Sequence, residues 1–304
     1  VTIAKAPGKI VLSGAYAVLE GAPAVITAVD RFVTADTGKP AELITPEVKA
    51  ALNGRTAPSF DASTLRENGQ KLGLGSSAAI LVASLGALAA LEKPDIDEAE
   101  LRQKVLGPAL TAHRAAQGGG SGIDVATSVH GGTIIAAKSG KSGDGLNVRQ
   151  VGLPDGLFIR VLFAGTPAST SELIGKVRAF KARSPHEYDG VLLDLKAAAE
   201  DAERAFDESD ARGVVRALRA QLRGLTDLGE LARASIVTRE VARLNELADE
   251  EDAVVLPAGA GGGDVAICVS TTAASARLIA AFDAQRYLRA EVALNARGLH
   301  LPTA

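Results

Sequence analysis

The sequence predicts an α+β fold in two domains, residues 1–150 and 151–304. Three observations lead there. The first half mixes short β-branched runs with glycine-rich turns around one long Ala/Leu segment. The second half is mostly helical in pattern, with a few apolar strand-like runs. Between the two, residues 140–155 carry the Gly, Ser and Asp of a turn region. Neither half contains solenoid repeats or a low-complexity tail.

Taken in order, Ile10–Leu12 and Val25–Val29 read as strands, and Pro7-Gly8 reads as a tight turn that sets Lys9 at the start of the first. Arg31–Ala35 either continues the second strand or pairs with it. The stretch from Asp36 to Gln70 holds Pro40, Pro46 and Pro58, and only a short helix over Pro46–Leu52 is expected in it. Ile80–Leu91, rich in Ala and Leu, reads as a buried helix. Asp97 and Glu100 form a capping box for a helix running towards Gln117, which Pro108 is expected to interrupt. Thr133–Ala137 is the next strand. In the second half, strands are expected at Leu157–Ala164, Val265–Ser270 and Arg289–Leu294. Helices are expected at Ser171–Arg183, Tyr188–Asp207, Asp210–Leu228, Arg239–Glu250 and Thr272–Asp283.

Composition narrows the function classes. Only 3% of the chain is aromatic and the net charge is −3, so there is neither a stacking platform nor a basic surface for nucleic acid. The single Cys268 allows no internal disulfide, and no Cys/His spacing suggests a zinc site. No apolar run reaches the length of a membrane span and the N-terminus lacks the layout of a signal peptide. The expectation is a cytoplasmic protein with no membrane partner. Methionine is absent throughout.

Four glycine-rich segments stand out. Lys71-Leu72-Gly73-Leu74-Gly75-Ser76-Ser77-Ala78-Ala79 precedes the Ala/Leu helix. Its glycines let backbone N–H groups approach phosphate oxygens, the helix start adds a positive dipole end, and serine hydroxyls suit phosphate or Mg²⁺. A turn that merely caps a helix is the equal alternative, and no Lys follows as in a Walker loop. Lys5-Ala6-Pro7-Gly8-Lys9 offers a cation that could neutralise a moving phosphoryl group, although a lone lysine is usually solvated. Pro257–Asp264 is longer than a hairpin turn needs, which favours close approach to a ligand. Gln117–Asp124 ends in an acid that could accept a proton or orient a hydroxyl, where an N-cap is the commoner role. A dinucleotide site is excluded, because no GxGxxG follows the first strand.

The order Pro-Gly-Lys, Gly-Leu-Gly-Ser-Ser-Ala-Ala and Gly-Ala-Gly-Gly-Gly-Asp resembles the GHMP kinase superfamily across nearly the whole chain. Within it the phosphomevalonate kinases are most similar, on Lys71–Ala79, Ala116–Ala126, Thr166–Leu173 and Pro257–Asp264. The resemblance implies a two-domain GHMP fold with the active site in the cleft between an N-terminal ATP-binding domain and a C-terminal domain carrying a substrate-side loop. It implies ATP bound by Lys71, Gly73, Leu74, Gly75, Ser76, Ser77 and Ala78, with Mg²⁺ on Ser77. Lys9 and Asp124 would be catalytic, with Asp124 either taking the acceptor proton or only orienting. Lys9, Tyr16, Ser121, Gly122, Gly261, Gly262 and Asp264 would bind the substrate, 5-phosphomevalonate, which becomes 5-diphosphomevalonate. Lys71, Arg114, Lys138 and Lys176 are the basic candidates for the substrate's phosphate. Ala15 stands where many mevalonate kinases carry Glu, and the chain is shorter than the eukaryotic-type phosphomevalonate kinases. Mevalonate kinase and a non-catalytic ATP-binding regulator are the alternatives, and a homodimer is a further expectation.

Overall fold

The computed structural model describes residues 1–302 except 68, 140–144, 164–168, 286 and 290–291. The chain opens with β1 (Ile3–Ser13) and the long β2 (Ala24–Pro40), paired antiparallel. Arg31–Ala35 therefore continues the second strand. Pro7-Gly8, expected as a turn, lies inside β1. The pairing jumps from Pro7 opposite Phe32 to Gly8 opposite Val29, so the residues form a bulge. Proline cannot donate to a ladder and is accommodated at such an irregularity on an edge strand.

Next come α1 (Pro46–Ala51), β3 (Pro58–Asp61) and the short hairpin of β4 (Arg66–Glu67) and β5 (Gln70–Lys71). Thr45 caps α1 by accepting the Val48 N–H at 3.3 Å. Three helices follow, α2 (Ser76–Glu92), α3 (Glu98–Gln117) and α4 (Ile123–His130); α2 and α4 lie against the sheet, and α3 packs on both of them from outside. α2 is buried all round from Ala78 to Ala90, as its unbroken apolar composition requires. α3 runs straight through Pro108, contrary to expectation. Pro108 faces solvent, so the carbonyl it leaves unpaired meets water, while Leu101, Val105, Ala109, Ala112 and His113 are buried.

β6 (Thr133–Ser139) and β7 (Gly145–Val151) close the first sheet, whose order is β1-β2-β6-β7 with β3 on the far part of β2. β7 occupies part of the segment expected as a turn region. Its alternating residues, Leu146, Asn147, Val148, Arg149, make a half-exposed strand that the surrounding Gly and Ser obscured.

The second half begins with β8 (Phe158–Phe163), then α5 (Thr170–Arg183), α6 (Pro185–Asp207), α7 (Ala211–Leu231) and α8 (Arg239–Asp249). β9 (Ala253–Pro257), β10 (Val265–Ser270), α9 (Ala276–Ala284) and β11 (Leu288–Arg289) follow. The sheet order is β11-β8-β10-β9, all antiparallel. Of the strand expected over Arg289–Leu294, Arg289 belongs to β11, 290–291 lie outside the described residues, and Leu294 bridges Val29 in the first sheet. Beyond it Lys5 and His300 exchange backbone hydrogen bonds at 2.9 and 3.0 Å, covering the free edge of β1. One buried cluster runs from Ile10 in β1 through α2 to Phe163 in β8 and Leu256 in β9, so both sheets share it. Among the described residues no helix is long and apolar enough to cross a membrane.

Candidate active site

The bulge at Pro7-Gly8 decides where Lys9 goes. A Cβ on Gly8 would come within 2.8 Å of the Leu65 side chain and 2.9 Å of the Leu74 carbonyl, so only glycine lets β1 press against the 72–75 loop. The Lys9 N–H then donates to the Leu74 carbonyl at 2.9 Å, and the lysine stem lies along Gly75, 3.0 Å from where a Cβ would stand. Gly75 itself takes φ +76 and caps α2 without a side chain. The first-turn N–H groups of α2 thus face the loop with no capping oxygen in the way, which is the arrangement that binds phosphate.

The loop after α3 delivers Asp124. Gly122, at φ +78, starts α4 without a side-chain cap, and Asp124 falls in its first turn. One carboxylate oxygen accepts the Val125 N–H at 3.0 Å; the other lies 3.3 Å from Nε2 of His113, a residue only 2% exposed on α3. The contact is within ion-pair range but misaligned for a hydrogen bond, and neither ring nitrogen has one among the described residues. Burial pushes the Asp124 carboxyl upward, yet the His113 imidazole and the Lys9 ammonium outweigh it and hold it below the usual carboxylate range. Burial works against the His113 imidazolium, but Asp124 and, less strongly, Glu47 lift the ring above its ordinary value.

From the other half, Pro257–Asp264 reaches back to the same place. The Tyr16 hydroxyl donates to the Ala260 carbonyl at 2.7 Å, tying this loop to the segment after β1. Tyr16 is held at φ 61, and burial raises its hydroxyl above the ordinary range. Asp264 faces Gly73, where a Cβ would lie 2.7 Å from its Oδ2. Burial lifts the Asp264 carboxyl above its ordinary value against the pull of the Val265 N–H and the Lys9 ammonium.

These parts enclose a cleft of about 360 Å³. Lys9, Lys71, Gly73, Gly75, Ser76 and Ser77 line one side of it. Tyr16, Ser121, Gly122 and Asp124 line another, and Gly261 and Asp264 close it. Leu74, Ala78 and Gly262 do not line it. Leu74 and Ala78 are buried, and the Gly262 N–H donates to the Ile236 carbonyl at 3.1 Å.

Residues 47–132 match the family model described as the GHMP kinases N terminal domain. A mevalonate kinase from Archaeoglobus fulgidus is 30% identical over 62% of this chain and 68% of its own length. The chain belongs to the GHMP kinases. It is also similar, at 26% identity over 89% of this chain and 90% of that protein, to a phosphomevalonate kinase from Streptomyces sp. (strain CL190). The phosphomevalonate kinase of Streptococcus pneumoniae, solved with phosphomevalonate and AMPPNP, shares the fold at a TM-score of 0.78 and 18% identity, over 97% and 100% of the two chains. As a GHMP kinase the chain is a small-molecule phosphotransferase.

Three residues of this GHMP kinase escaped the sequence reading. His113 sits on the same stripe of α3 as Leu101, Val105, Ala109 and Ala112, and a titratable residue on that buried face was the available signal. Gln117 donates to Glu47 at 3.3 Å and, more weakly, to the Ser77 hydroxyl at 3.5 Å. Arg178, on α5, lies over the Gly118–Gly122 loop. Of the basic candidates, Lys71 lines the cleft, while Lys176 is paired with Glu172 at 2.8 Å on an exposed helix face. Among the described residues no cluster of three or more His, Cys, Asp or Glu could cage a metal. The oxygen donors present, the Ser77 hydroxyl with Glu47 behind Gln117, fit a hard cation whose remaining ligands are phosphates and water.

Proposed function

We propose that this GHMP kinase transfers the γ-phosphoryl group of ATP to 5-phosphomevalonate, giving 5-diphosphomevalonate and ADP. The observation that carries the reading is the convergence of Lys9, Asp124 and the uncapped start of α2 on one cleft. Residues 1–150 supply the nucleotide side and 151–304 the loop that closes over the acceptor. The Streptomyces relative, similar along nearly the whole of both chains, supports the choice of acceptor.

The backbone of Gly73–Ser77 cradles the nucleotide phosphates. Ser77 would hold Mg²⁺, which when bound neutralises charge on the β- and γ-phosphates. The attacking atom is an oxygen of the acceptor's own phosphate. A phosphate monoester has its second pKa near ~6, so at neutral pH that oxygen is already largely deprotonated. The new P–O bond forms as the bond from the γ-phosphorus to the ADP oxygen breaks, and no proton has to be removed first. Asp124, its carboxyl held low, then serves to anchor and orient the Lys9 ammonium, and Lys9 neutralises charge on the moving phosphoryl group. The acidic partner thus positions, and the lysine stabilises the transition state.

An ADP-release assay with ATP and Mg²⁺ over mevalonate, 5-phosphomevalonate, homoserine and galactose tests this. Turnover is expected with 5-phosphomevalonate. Turnover of mevalonate alone would replace the reading with mevalonate kinase, which the Archaeoglobus relative favours. Silence with all four would leave an ATP-binding regulator.

A further inference from the structure

Beside the cleft lies a second hollow of about 140 Å³ that shares Tyr16, Leu19, Gly120 and Ile174 with it. Three cations, Lys138, Arg178 and Lys181, line it together with one acid, Glu20. Glu20 is already neutralised: Lys181 Nζ stands 2.6 Å from its carboxylate and the Tyr188 hydroxyl donates to it at 3.1 Å. Lys138 donates to a neutral group, the Leu19 carbonyl, at 2.7 Å, which leaves two of its three N–H bonds for a ligand. Arg178 is exposed and makes no ion pair among the described residues. Its Nη2 lies 3.7 Å from the point a Cβ on Gly119 would occupy, so the guanidinium leans over a glycine loop that lines both hollow and cleft.

Lys181 and Glu20 satisfy each other, so Lys138 and Arg178 leave the hollow with two uncompensated cations, a site for an anion that shares a wall with the cleft. On the acceptor reading proposed above, on which this inference rests, the acceptor's phosphate is the attacking group and must stay beside Lys9 and the start of α2. The remaining anionic group of the acceptor is its carboxylate. We propose that this hollow is the carboxylate subsite and that Arg178, with its two-pronged guanidinium, is its principal ligand, Lys138 adding a second cation. The cleft and the hollow would then read the two ends of one molecule: a phosphate at the reacting end and a carboxylate at the other.

Steady-state kinetics of the wild type and Arg178→Ala, with 5-phosphomevalonate and with its C1 primary amide, test the assignment. Arg178→Ala should raise KM for the acid about 10- to 100-fold, the worth of a charge-assisted contact. KM for ATP should stay within about twofold, since the nucleotide lies elsewhere. The amide should cost the wild type a similar factor and cost Arg178→Ala little more, because the two changes remove one interaction. Arg178→Lys should restore part of the loss. An unchanged KM for the acid in Arg178→Ala, or an equal loss on acid and amide, would overturn the subsite. Failure of the wild type itself to turn over 5-phosphomevalonate, while another acceptor is phosphorylated, would remove the acceptor reading and this inference with it. The two failures are therefore seen in different proteins.

Discussion

Replacing His113 by Ala should destabilise the protein in a way that depends on pH. The ring is 2% exposed and its Nε2 is 3.3 Å from an Asp124 carboxylate oxygen. At that separation the attraction between unit charges is ~5 kcal/mol for an effective dielectric near 20, before the desolvation of both groups is subtracted. Deleting one member of a buried pair typically costs ~3–5 kcal/mol. Here the Lys9 ammonium remains to compensate Asp124, so a loss of about 2–3 kcal/mol at the most sensitive pH is expected.

The His113 ring is lifted above its ordinary value, so its contribution is complete below the unfolded value near ~6.5 and is lost as pH rises through the folded one. The Asp124 carboxyl is held low, so its contribution is present above the unfolded value near ~4 and is lost as pH falls through the folded one. The charges facing the ring are Asp124 and Glu47, which favour its protonation, and Arg114, which opposes it. The pair therefore contributes most between about pH 4 and 6.5 and less above. Urea denaturation of wild type and His113→Ala at pH 5.5 and pH 9 measures this. The cavity left by the ring costs the same at both values, so the pair shows as the difference. Equal losses at the two pH values would refute the charged pair and leave only a packing role.

Lys9→Met should reduce kcat by about 10²–10³-fold, the usual worth of one preorganised donor at a transition state. Asp124→Asn should lose less on 5-phosphomevalonate, where no proton needs removing; an Asn variant worse than the Met variant would restore Asp124 as an essential base. Gly75→Ala places a Cβ 3.0 Å from Lys9 Cε at φ +76. It should cost about 1–2 kcal/mol in melting experiments and lower kcat by roughly 10–100-fold through displacement of the lysine. Tyr16→Phe removes the 2.7 Å bond to the Ala260 carbonyl. About 1 kcal/mol of stability should be lost, with proteolysis of the 257–264 loop faster than in the wild type.

Much of the architecture was legible because helices and long strands write their burial into periodicity. The Ala/Leu run of α2, the Asp97 cap of α3 and the apolar runs of β8 and β10 depend on local chemistry and on which faces are buried. β9 left no such mark. Its five residues are all buried, so they show no alternation, and five residues are too few to separate strand from helix by composition. α4 is hidden for a related reason: eight residues behind a run of glycines look like more of the loop.

The site divides along the same line. Gly73–Ser77 announced itself because its conformation is demanded locally, by positive φ at Gly73 and Gly75 and by the helix that follows. Pro7-Gly8-Lys9 shows its residues in the sequence but not its geometry, which is a bulge inside β1 and not a turn. A Pro-Gly pair usually makes a turn, and nothing within five residues says that this glycine is needed to clear Leu65 and the Leu74 carbonyl, both more than fifty positions away. The same non-locality hid His113 and Arg178. Each gains its significance from a partner on another element, Asp124 for the one and the Gly118–Gly122 loop for the other. What remained invisible was the set of long-range approaches by which four loops, each ordinary on its own, come to bear on a single lysine.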